Sequence, residues 1–371
     1  MAVYKIFPEK DAFIFSDSPL ANAGKDEIVE IAGYADISGT GQTSRILVKY
    51  NTEEIQQVIT DKIGVNPYSA SLHFYLADAY EMPIDFKLYT YPVYSPTGWD
   101  NGIGKYGDIP VDKSGVSWKY RQAGETNEWL TSVYPTGVTA SFLDTAAGGG
   151  NWYTGSAGIN LEFTQSFNNS SEYDTDINVT SAVEMFVDES LDNEGFILKL
   201  HEDLEFNTTS SIRLKYFGGD TNTVYLPCLE LKWDDSTYDV GTLDTLSTDI
   251  AMITVTNNKG KYIDQGVQRF KINAKPKYPV RTFTTSSVYL TNYALPEASY
   301  WGIKDEYTEE MVVDFSTEFT KISCDSTGPY FDVYMDGLQP ERYYRILIKT
   351  ELDGSTTVID NQNIFKVVRN G

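Results

Sequence analysis

The sequence predicts an all-β protein made of two β-sandwich domains. Runs rich in Tyr, Thr, Val and Ile are broken by Gly, Asn, Asp and Ser, and long helical periodicity is nearly absent. Aromatic residues make up 14% of the chain, and 27 of them are tyrosines, a residue type that strands favour. A chain of 371 residues exceeds one ordinary domain, so its length predicts two or three domains.

The first elements follow from short apolar runs separated by polar turns. We predict strands at residues 3–7, 12–15, 28–31 and 45–50, and further core strands at 71–79 and 84–93. A helix is predicted over 52–62, with Thr52 as its N-cap and two glutamates in its first turn. His73 lies within a core strand, where a lone histidine is more often structural than catalytic.

A long irregular segment, residues 95–151, interrupts the strand pattern and is rich in tryptophan. Segments of this length without regular elements are usually functional surfaces or packed Ω-like excursions. The candidate ligand or partner surface therefore consists of the aromatic residues in and just after this segment: Trp99, Trp118, Trp129, Trp152 and Tyr153. Two interpretations stay open for the tryptophans, which are packing in the core and stacking on sugar rings.

The stretch 177–233 predicts one short helix and three strands that close the first sandwich. Val179, Val183 and Phe186 lie on one face of the helix, with Thr180 or Ser181 as its N-cap. An apolar run at 196–200 predicts a buried strand, and strict alternation at 212–216 predicts a half-buried one. The last strand comprises Cys228, Leu229, Leu231 and Trp233.

The best candidate linker is an acidic stretch without apolar periodicity, DDSTYDVGTLDTLSTD at 234–249. We therefore place the first domain at 1–235, the linker at 236–248 and the second domain at 249–371. Further strands are predicted at 251–255, 269–272, 286–293, 310–315 and 330–335.

Several motifs of the first domain occur in the order found in DNRLRE-type, disaggregatase-related modules. A "D-A-x-I…S-P-x-x-N-x-G" pattern is matched by Asp11, Ala12, Ile14, Ser18, Pro19, Asn22 and Gly24, and an "R-x-x-L-K-F" strand by 45–50. A "W-x-x-G-x-G…G-V-x-W" pattern is matched by Trp99, Gly102, Gly104, Gly115, Val116 and Trp118. An "N-x-G-F-x-L-K" strand is matched by Asn193, Gly195, Phe196, Leu198 and Lys199, and a final "P-x-L-x-V-x-W" by Pro227, Leu229, Leu231 and Trp233.

The first ~235 residues thus resemble these modules at both ends. The resemblance implies a jelly-roll-like β-sandwich. Because the family includes polysaccharide binders, the resemblance also implies carbohydrate binding as an alternative function. In the second domain, Gly337-Leu338-Gln339-Pro340 followed by Tyr344 resembles the corner of fibronectin type III and related immunoglobulin-like sandwiches. That resemblance implies a smaller immunoglobulin-like β-sandwich, in which the Tyr344 hydroxyl fixes the corner.

The last third of the chain also resembles structural proteins of tailed phages, notably marine T4-like ones. The resemblance rests on SSVYLTNYALPEASYWGIKDEYTEEMV, DGLQPERYYRILIKT and NIFKVVRNG. It implies a protein that is assembled in the host bacterial cytoplasm and resides in the virion, in multiple copies of a symmetric assembly.

The net charge limits the class of partner, and the cysteine content indicates the redox compartment. A formal charge of −24 argues against nucleic acid and anionic membranes, and no run approaches the ~18 apolar residues of a membrane span. The N-terminus shows no signal peptide pattern. Cys228 and Cys324 are far apart in sequence, so we expect two buried reduced thiols and a reducing compartment.

No catalytic, cofactor or metal site stands out. His73 and His201 are the only histidines, and no Ser-His-Asp or Cys-His pattern accompanies them. Residues 102–107 spell GxGxxG, but the prolines and glycines around them leave no room for the helix of a dinucleotide site. A carboxylate pair of glycosidase type stays open because its separation is spatial, and Asp174 with Asp176 could bind Ca²⁺ but fits solvated loop residues better.

Two functions from different classes follow. The first is a non-enzymatic structural component of a tailed-phage virion, in the neck, tail, baseplate or capsid surface, which docks to other virion proteins. The alternative is a carbohydrate-binding or host-surface adhesion module whose partner is a surface polysaccharide. Exposed coplanar aromatics would favour sugar, whereas an exposed apolar surface would favour assembly.

Overall fold

The computed structural model of the protein describes residues 2–80, 82–83, 85–124, 127–130, 136–140, 148–156, 158–168, 170–209, 211–279 and 291–370. The strands described up to residue 233 are β1 Ala2–Ile6, β2 Pro8–Phe15, β3 Ile28–Ala35, β4 Gly41–Tyr50, β5 Tyr68–His73, β6 Leu76–Tyr80, β7 Asp85–Pro92, β8 Val138–Ala140, β9 Asn151–Tyr153, β10 Gly155–Ser156, β11 Ile159–Asn160, β12 Phe163–Asn168, β13 Ile177–Asn178, β14 Phe196–Leu200, β15 Ile212–Phe217 and β16 Cys228–Trp233. Those beyond are β17 Ala251–Val255, β18 Lys261–Ile263, β19 Val267–Pro276, β20 Ser299–Asp305, β21 Met311–Val313, β22 Ser323–Asp325, β23 Gly328–Tyr334, β24 Tyr343–Leu352 and β25 Ser355–Val368.

The predicted all-β class is confirmed. Among the described residues, the α-helices are α1 Thr52–Gln57 and α2 Thr180–Val187, both short. The chain divides into two compact units. We call the unit formed by residues 6–62 and 69–230 the first sandwich, and the unit formed by 1–5, 63–68 and 231–371 the second sandwich.

The first sandwich is built on an eight-stranded sheet. Its order is β12-β7-β14-β4-β3-β15-β6, and β2 pairs with β4 in addition. The sequence patterns explain this sheet: all five residues of β14 are buried, as its apolar run predicts, whereas β15 alternates buried and half-buried positions. Within the same unit, β5 also pairs antiparallel with β13.

The two helices of the first sandwich begin differently from their predicted caps. Asn51, not Thr52, is the N-cap of α1, because its side-chain oxygen accepts a hydrogen bond from the Glu54 N–H. That helix ends earlier than predicted and continues as a π-helical turn at Val58–Ile63. The N-cap of α2 is Val179, which offers no side-chain cap, while the Thr180 hydroxyl accepts a hydrogen bond from the Ala70 N–H at 2.9 Å.

The second sandwich contains one sheet in the order β17-β19-β23-β22 and another in the order β18-β25-β24-β20-β21. Their core includes Phe270, Trp301, Phe331, Tyr344 and Phe365, whose rings contact one another. Residues 236–248, predicted as a linker, belong to this unit, and Leu246 lies in its core. The strand predicted at 286–293 lies mostly outside the described residues.

The predicted corner of the second sandwich is formed. Tyr344 is buried, and its hydroxyl donates a hydrogen bond to the carbonyl oxygen of Gln339 at 2.8 Å. This bond spans five residues and connects the start of β24 to the loop that precedes it. Tyr344 therefore fixes the corner as the sequence motif predicts.

Candidate functional site

The four predicted tryptophans lie in the core of the first sandwich. Their exposed fractions are 1% for Trp99, 0% for Trp118, 1% for Trp129 and 4% for Trp152. All four belong to one apolar cluster with Ala12, Ile14, Leu47, Tyr91, Val93, Val116 and Ile197. These four indole rings are therefore packed in the core. They do not form an exposed stacking surface, because the sheet and the loops around them exclude solvent.

Tyr153 lies outside that cluster and is half-buried. Its ring packs edge-on against Tyr94, with the centroids 5.3 Å apart. Burial, followed by the nearby charge of Asp192, raises the pKa of the Tyr153 hydroxyl to about 12. It therefore stays protonated at neutral pH and can serve as a hydrogen-bond donor.

A buried ion cluster supports two of the tryptophans. Arg45 binds Glu205 through two hydrogen bonds, Nε to Oε1 at 2.7 Å and Nη2 to Oε2 at 2.8 Å, and Lys199 Nζ lies 3.0 Å from Glu205 Oε2. The Arg45 guanidinium lies 4.9 Å from the ring centroid of Trp118 and 5.2 Å from that of Trp152. Desolvation acts to raise the pKa of the Glu205 carboxyl, but the two cations outweigh it and hold this pKa below its ordinary value.

The sequence explains how the backbone reaches this cluster. Arg45 also donates a hydrogen bond to the carbonyl oxygen of Gly149. A Cβ at Gly149 would lie 2.6 Å from Arg45 Nη1 and 2.7 Å from the Trp118 ring, and the backbone there has a φ of +86°. Only glycine fits such a position without displacing its neighbours.

The irregular segment presents an exposed surface elsewhere, at residues 101–116, which we call the display loop. Four of its apolar side chains are exposed: Ile103 by 72%, Tyr106 by 55%, Ile109 by 97% and Val111 by 50%. No helix follows its GxGxxG pattern, since residues 101–120 contain none. The prediction that no helix follows this pattern is therefore confirmed.

Asn22 fixes the backbone of the display loop. Its side-chain amide donates to the carbonyl oxygens of Asn101 and Val116, both at 2.8 Å, and its side-chain oxygen accepts from the Gly104 N–H at 2.8 Å. Asn22 is completely buried, and a Cβ at Gly102 would lie 2.3 Å from its side-chain oxygen. Asn22 and the glycines Gly102 and Gly104 belong to separate sequence motifs, but in the structure they contact one another and together fix the backbone of the display loop.

Contacts with the carboxylates and aromatic rings of the first sandwich complete the support. The Tyr106 N–H donates to Asp26 Oδ2 at 2.7 Å, and Lys105 Nζ lies 2.6 Å from Glu27 Oε1. The Tyr106 ring packs edge-on against Phe15, with the centroids 5.0 Å apart. The loop is thus held at several points while its apolar side chains face solvent.

The two histidines have acidic neighbours. His73 Nε2 lies 3.3 Å from Glu230 Oε1 and 3.5 Å from Asp176 Oδ1, and His201 Nδ1 lies 3.1 Å from Asp203 Oδ2. Asp174 Oδ1 accepts a hydrogen bond from the Leu76 N–H at 2.6 Å. Within the described residues, no group of three or more His, Cys, Asp or Glu side chains could hold a metal ion. Cys228 and Cys324 are both buried.

Sequence reasoning missed the residue that completes the ion cluster. Arg45 and Lys199 occupy motif positions, but Glu205 is one of 53 acidic residues and follows no motif. Its partner Arg45 lies 160 positions away in the chain, so no local pattern joins the two. A basic residue predicted inside an apolar strand was the one signal that a buried counter-ion exists.

No family model matches the chain, and no curated protein matches it. Among solved structures, the adhesin domain of Epf from Streptococcus pyogenes is similar over 98% of this chain and 99% of that chain, at 8% sequence identity and a TM-score of 0.16. A likeness at this level carries no argument about fold or function. In the described part of the chain, no helix is long and apolar enough to cross a membrane.

Proposed function

We propose that this protein is a non-enzymatic structural component of a tailed-bacteriophage virion, which docks to other virion proteins through the display loop. The phage context rests on the sequence resemblance of the last third of the chain. The observation that carries the docking role is the set of four exposed apolar side chains on a loop whose backbone is already fixed. Exposed apolar patches on soluble proteins mark interaction sites.

The partner is a folded protein with an apolar recess. Ile103, Tyr106, Ile109 and Val111 supply apolar area, while Lys105, Asp108 and Asp112 within the same loop supply a polar rim. Because hydrogen bonds already hold the loop, little conformational entropy is lost when it binds. A fixed apolar protrusion with a polar rim suits a permanent, repeated contact in an assembly.

Incorporation into particles tests this proposal. We expect the chain in purified virions at a fixed stoichiometry, measured by quantitative mass spectrometry. The double variant Ile103→Ser, Ile109→Ser should be incorporated about tenfold less, since both changes remove apolar contact area. Thermal unfolding should stay near the wild-type value because both side chains are exposed.

The matched control is Ile37→Ser, the same change at a fully exposed isoleucine outside the display loop. This variant should be incorporated like the wild type. Absence of the chain from purified virions would overturn the virion assignment. Normal incorporation of the double variant would overturn the role of the display loop.

A further inference from the structure

The second sandwich has one long sheet edge that is only partly paired. The hairpin of β24 and β25 turns at Asp353 and Gly354, whose φ values of 49° and 73° are both positive, as in the type I′ turns of two-residue hairpins. Beyond this turn β24 pairs with one side of β25. Over residues 355–360, no described strand pairs with the other side, which we call the open edge.

The register of the hairpin determines where the backbone groups of the open edge point. In a two-residue hairpin the residues that flank the turn, here Leu352 and Ser355, exchange hydrogen bonds. Because such pairs alternate along an antiparallel ladder, the N–H and C=O groups of Thr356 and Val358 point away from β24. Within the described part of the chain, no backbone or side-chain group forms a hydrogen bond with them.

The later part of the same edge is covered. The Lys366 N–H donates to the carbonyl oxygen of Gly260 at 2.9 Å, and β18 pairs with residues 366–368. The side-chain amide of Asn258 donates to the carbonyl oxygen of Ile364, also at 2.9 Å. The unpaired backbone groups are therefore confined to the open edge.

The open edge lacks the features that usually protect an exposed strand, which are charged side chains, prolines and short length. Residues 354–359 read Gly-Ser-Thr-Thr-Val-Ile, and Val358 is 52% exposed. At the opposite end of the same sheet, the three-residue strand β21 directly follows the exposed Glu309 and Glu310. An exposed edge rich in β-branched residues is a template for a further strand.

The charge of the molecule and the register of the edge indicate which strand fits there. Two molecules with a formal charge of −24 repel each other, so they can approach only where carboxylates are absent or neutralised. The open edge meets this condition, because residues 354–359 are uncharged and Asp360 Oδ2 lies 3.1 Å from Arg345 Nη1. The edge is also self-complementary: antiparallel pairing about Val358 places Thr356 of each copy opposite Asp360 of the other.

We propose that two copies of this chain associate through the open edge, so that their β25 strands pair antiparallel around a two-fold axis. The five-stranded sheet of one copy then continues into that of the other. Val358 faces Val358 of the second copy, and these two residues exchange both of their backbone hydrogen bonds. This inference goes beyond the docking role of the display loop, since it concerns the second sandwich and a different partner.

Cysteine cross-linking of the full chain tests the register. In the proposed pair the two Val358 Cα atoms are about 5.5 Å apart, within disulfide reach, whereas the two Thr356 Cα atoms are about 14 Å apart. Under mild oxidation, Val358→Cys should therefore form a disulfide-linked dimer at least about tenfold faster than Thr356→Cys. The two positions share a strand, a face and exposure, and the native Cys228 and Cys324 are buried and do not compete.

Sedimentation velocity measures the association without cross-linking. The wild type should shift from monomer to dimer as its concentration rises, and salt should strengthen the dimer because it screens the repulsion between acidic molecules. Val358→Pro removes an outward N–H but no bond to β24, and should weaken dimerisation by about tenfold or more. Val358→Lys, which places a charge on the edge, is the second variant should the proline variant fail to fold.

Ile263→Lys is the matched control, because Ile263 is a 48% exposed apolar residue on β18 of the same sheet. It should dimerise like the wild type. A wild type that stays monomeric, equal cross-linking of the two cysteine variants, or unchanged dimerisation of the folded Val358 variants would overturn the proposal. The display-loop double variant should dimerise normally, so failure of either proposal is recognisable separately.

Discussion

At the residue scale, Asp11 shows how one buried carboxyl makes stability depend on pH. Its side chain is 5% exposed and accepts a hydrogen bond from the Gly219 N–H at 3.0 Å. Burial, the largest effect, raises its pKa from 3.8 to about 6, against the lowering effect of that hydrogen bond. Between these two values the folded state holds more protons than the unfolded state, so stability falls as pH rises from about 4 to about 6.

Asp11→Asn should remove this penalty. The free energy of unfolding of the variant minus that of wild type should increase by up to about 3 kcal/mol as the pH rises from 4 to 7.5. This is the energy that corresponds to a difference of about two pKa units between the folded and unfolded states. Urea unfolding at both pH values measures the difference.

Asp36→Asn is a control for which the pH dependence of stability should have the opposite sign. Hydrogen bonds from Ser38, Thr40 and Gln42 lower the pKa of the Asp36 carboxyl to about 2. Its folded pKa lies below the unfolded value, so the carboxylate contributes stability above about pH 4 that is lost as pH falls toward 2. A difference between Asp11→Asn and wild type that is the same at both pH values would contradict the Asp11 argument.

Glu205 provides a second prediction at this scale. Glu205→Gln keeps the shape of the side chain but leaves Arg45 and Lys199 buried without a counter-charge. We expect the free energy of unfolding to fall by about 3–5 kcal/mol, the usual cost of breaking a buried ion pair. Chemical denaturation at neutral pH measures this loss.

The same substitution at an exposed ion pair is the control. Glu128 pairs with Lys119 at 3.1 Å, and both side chains are more than a third exposed. Glu128→Gln should leave stability almost unchanged, because solvent screens exposed pairs. Equal effects of the two substitutions would contradict the distinction between buried and exposed pairs.

At the element scale, the corner before β24 depends on one hydroxyl. Tyr344→Phe removes the hydrogen bond to the Gln339 carbonyl oxygen and keeps the ring in the core. We expect a loss of about 1–2 kcal/mol in the free energy of unfolding, typical for one buried hydrogen bond. Chemical denaturation of wild type and variant under the same conditions measures this loss of stability.

The neighbouring residue gives a matched control. Tyr343 points to the opposite face of β24, is 39% exposed and packs edge-on against Tyr307. Tyr343→Phe should change stability much less than Tyr344→Phe. If both variants lose the same stability, the corner hydrogen bond is not the cause.

At the scale of the whole molecule, charge and surface determine what the protein can bind. A formal charge of −24 disfavours association with polyanions. The display loop of the first sandwich exposes apolar side chains, among them Ile103 and Ile109.

The sequence by itself determined the all-β class, most strands and the Tyr344 corner. These depend on local patterns, such as the alternation at 212–216 and the spacing from Gly337 to Tyr344. Asn22 and the glycines of the display loop also stand out as motif residues in the sequence, but the sequence does not show that they contact one another. Local periodicity is a property of neighbouring residues, which is why a single sequence reveals it.

Only the tertiary structure decided which aromatics are core and which are surface. Trp99 and Trp118 lie in an irregular segment, yet they are buried, whereas Tyr106 in the same segment is 55% exposed. Arg45 meets Glu205 across 160 residues, and Glu162 meets Tyr91 across 71. Burial and charge pairing depend on such distant contacts, and the periodicity of one strand carries no information about the strand or loop that will cover it.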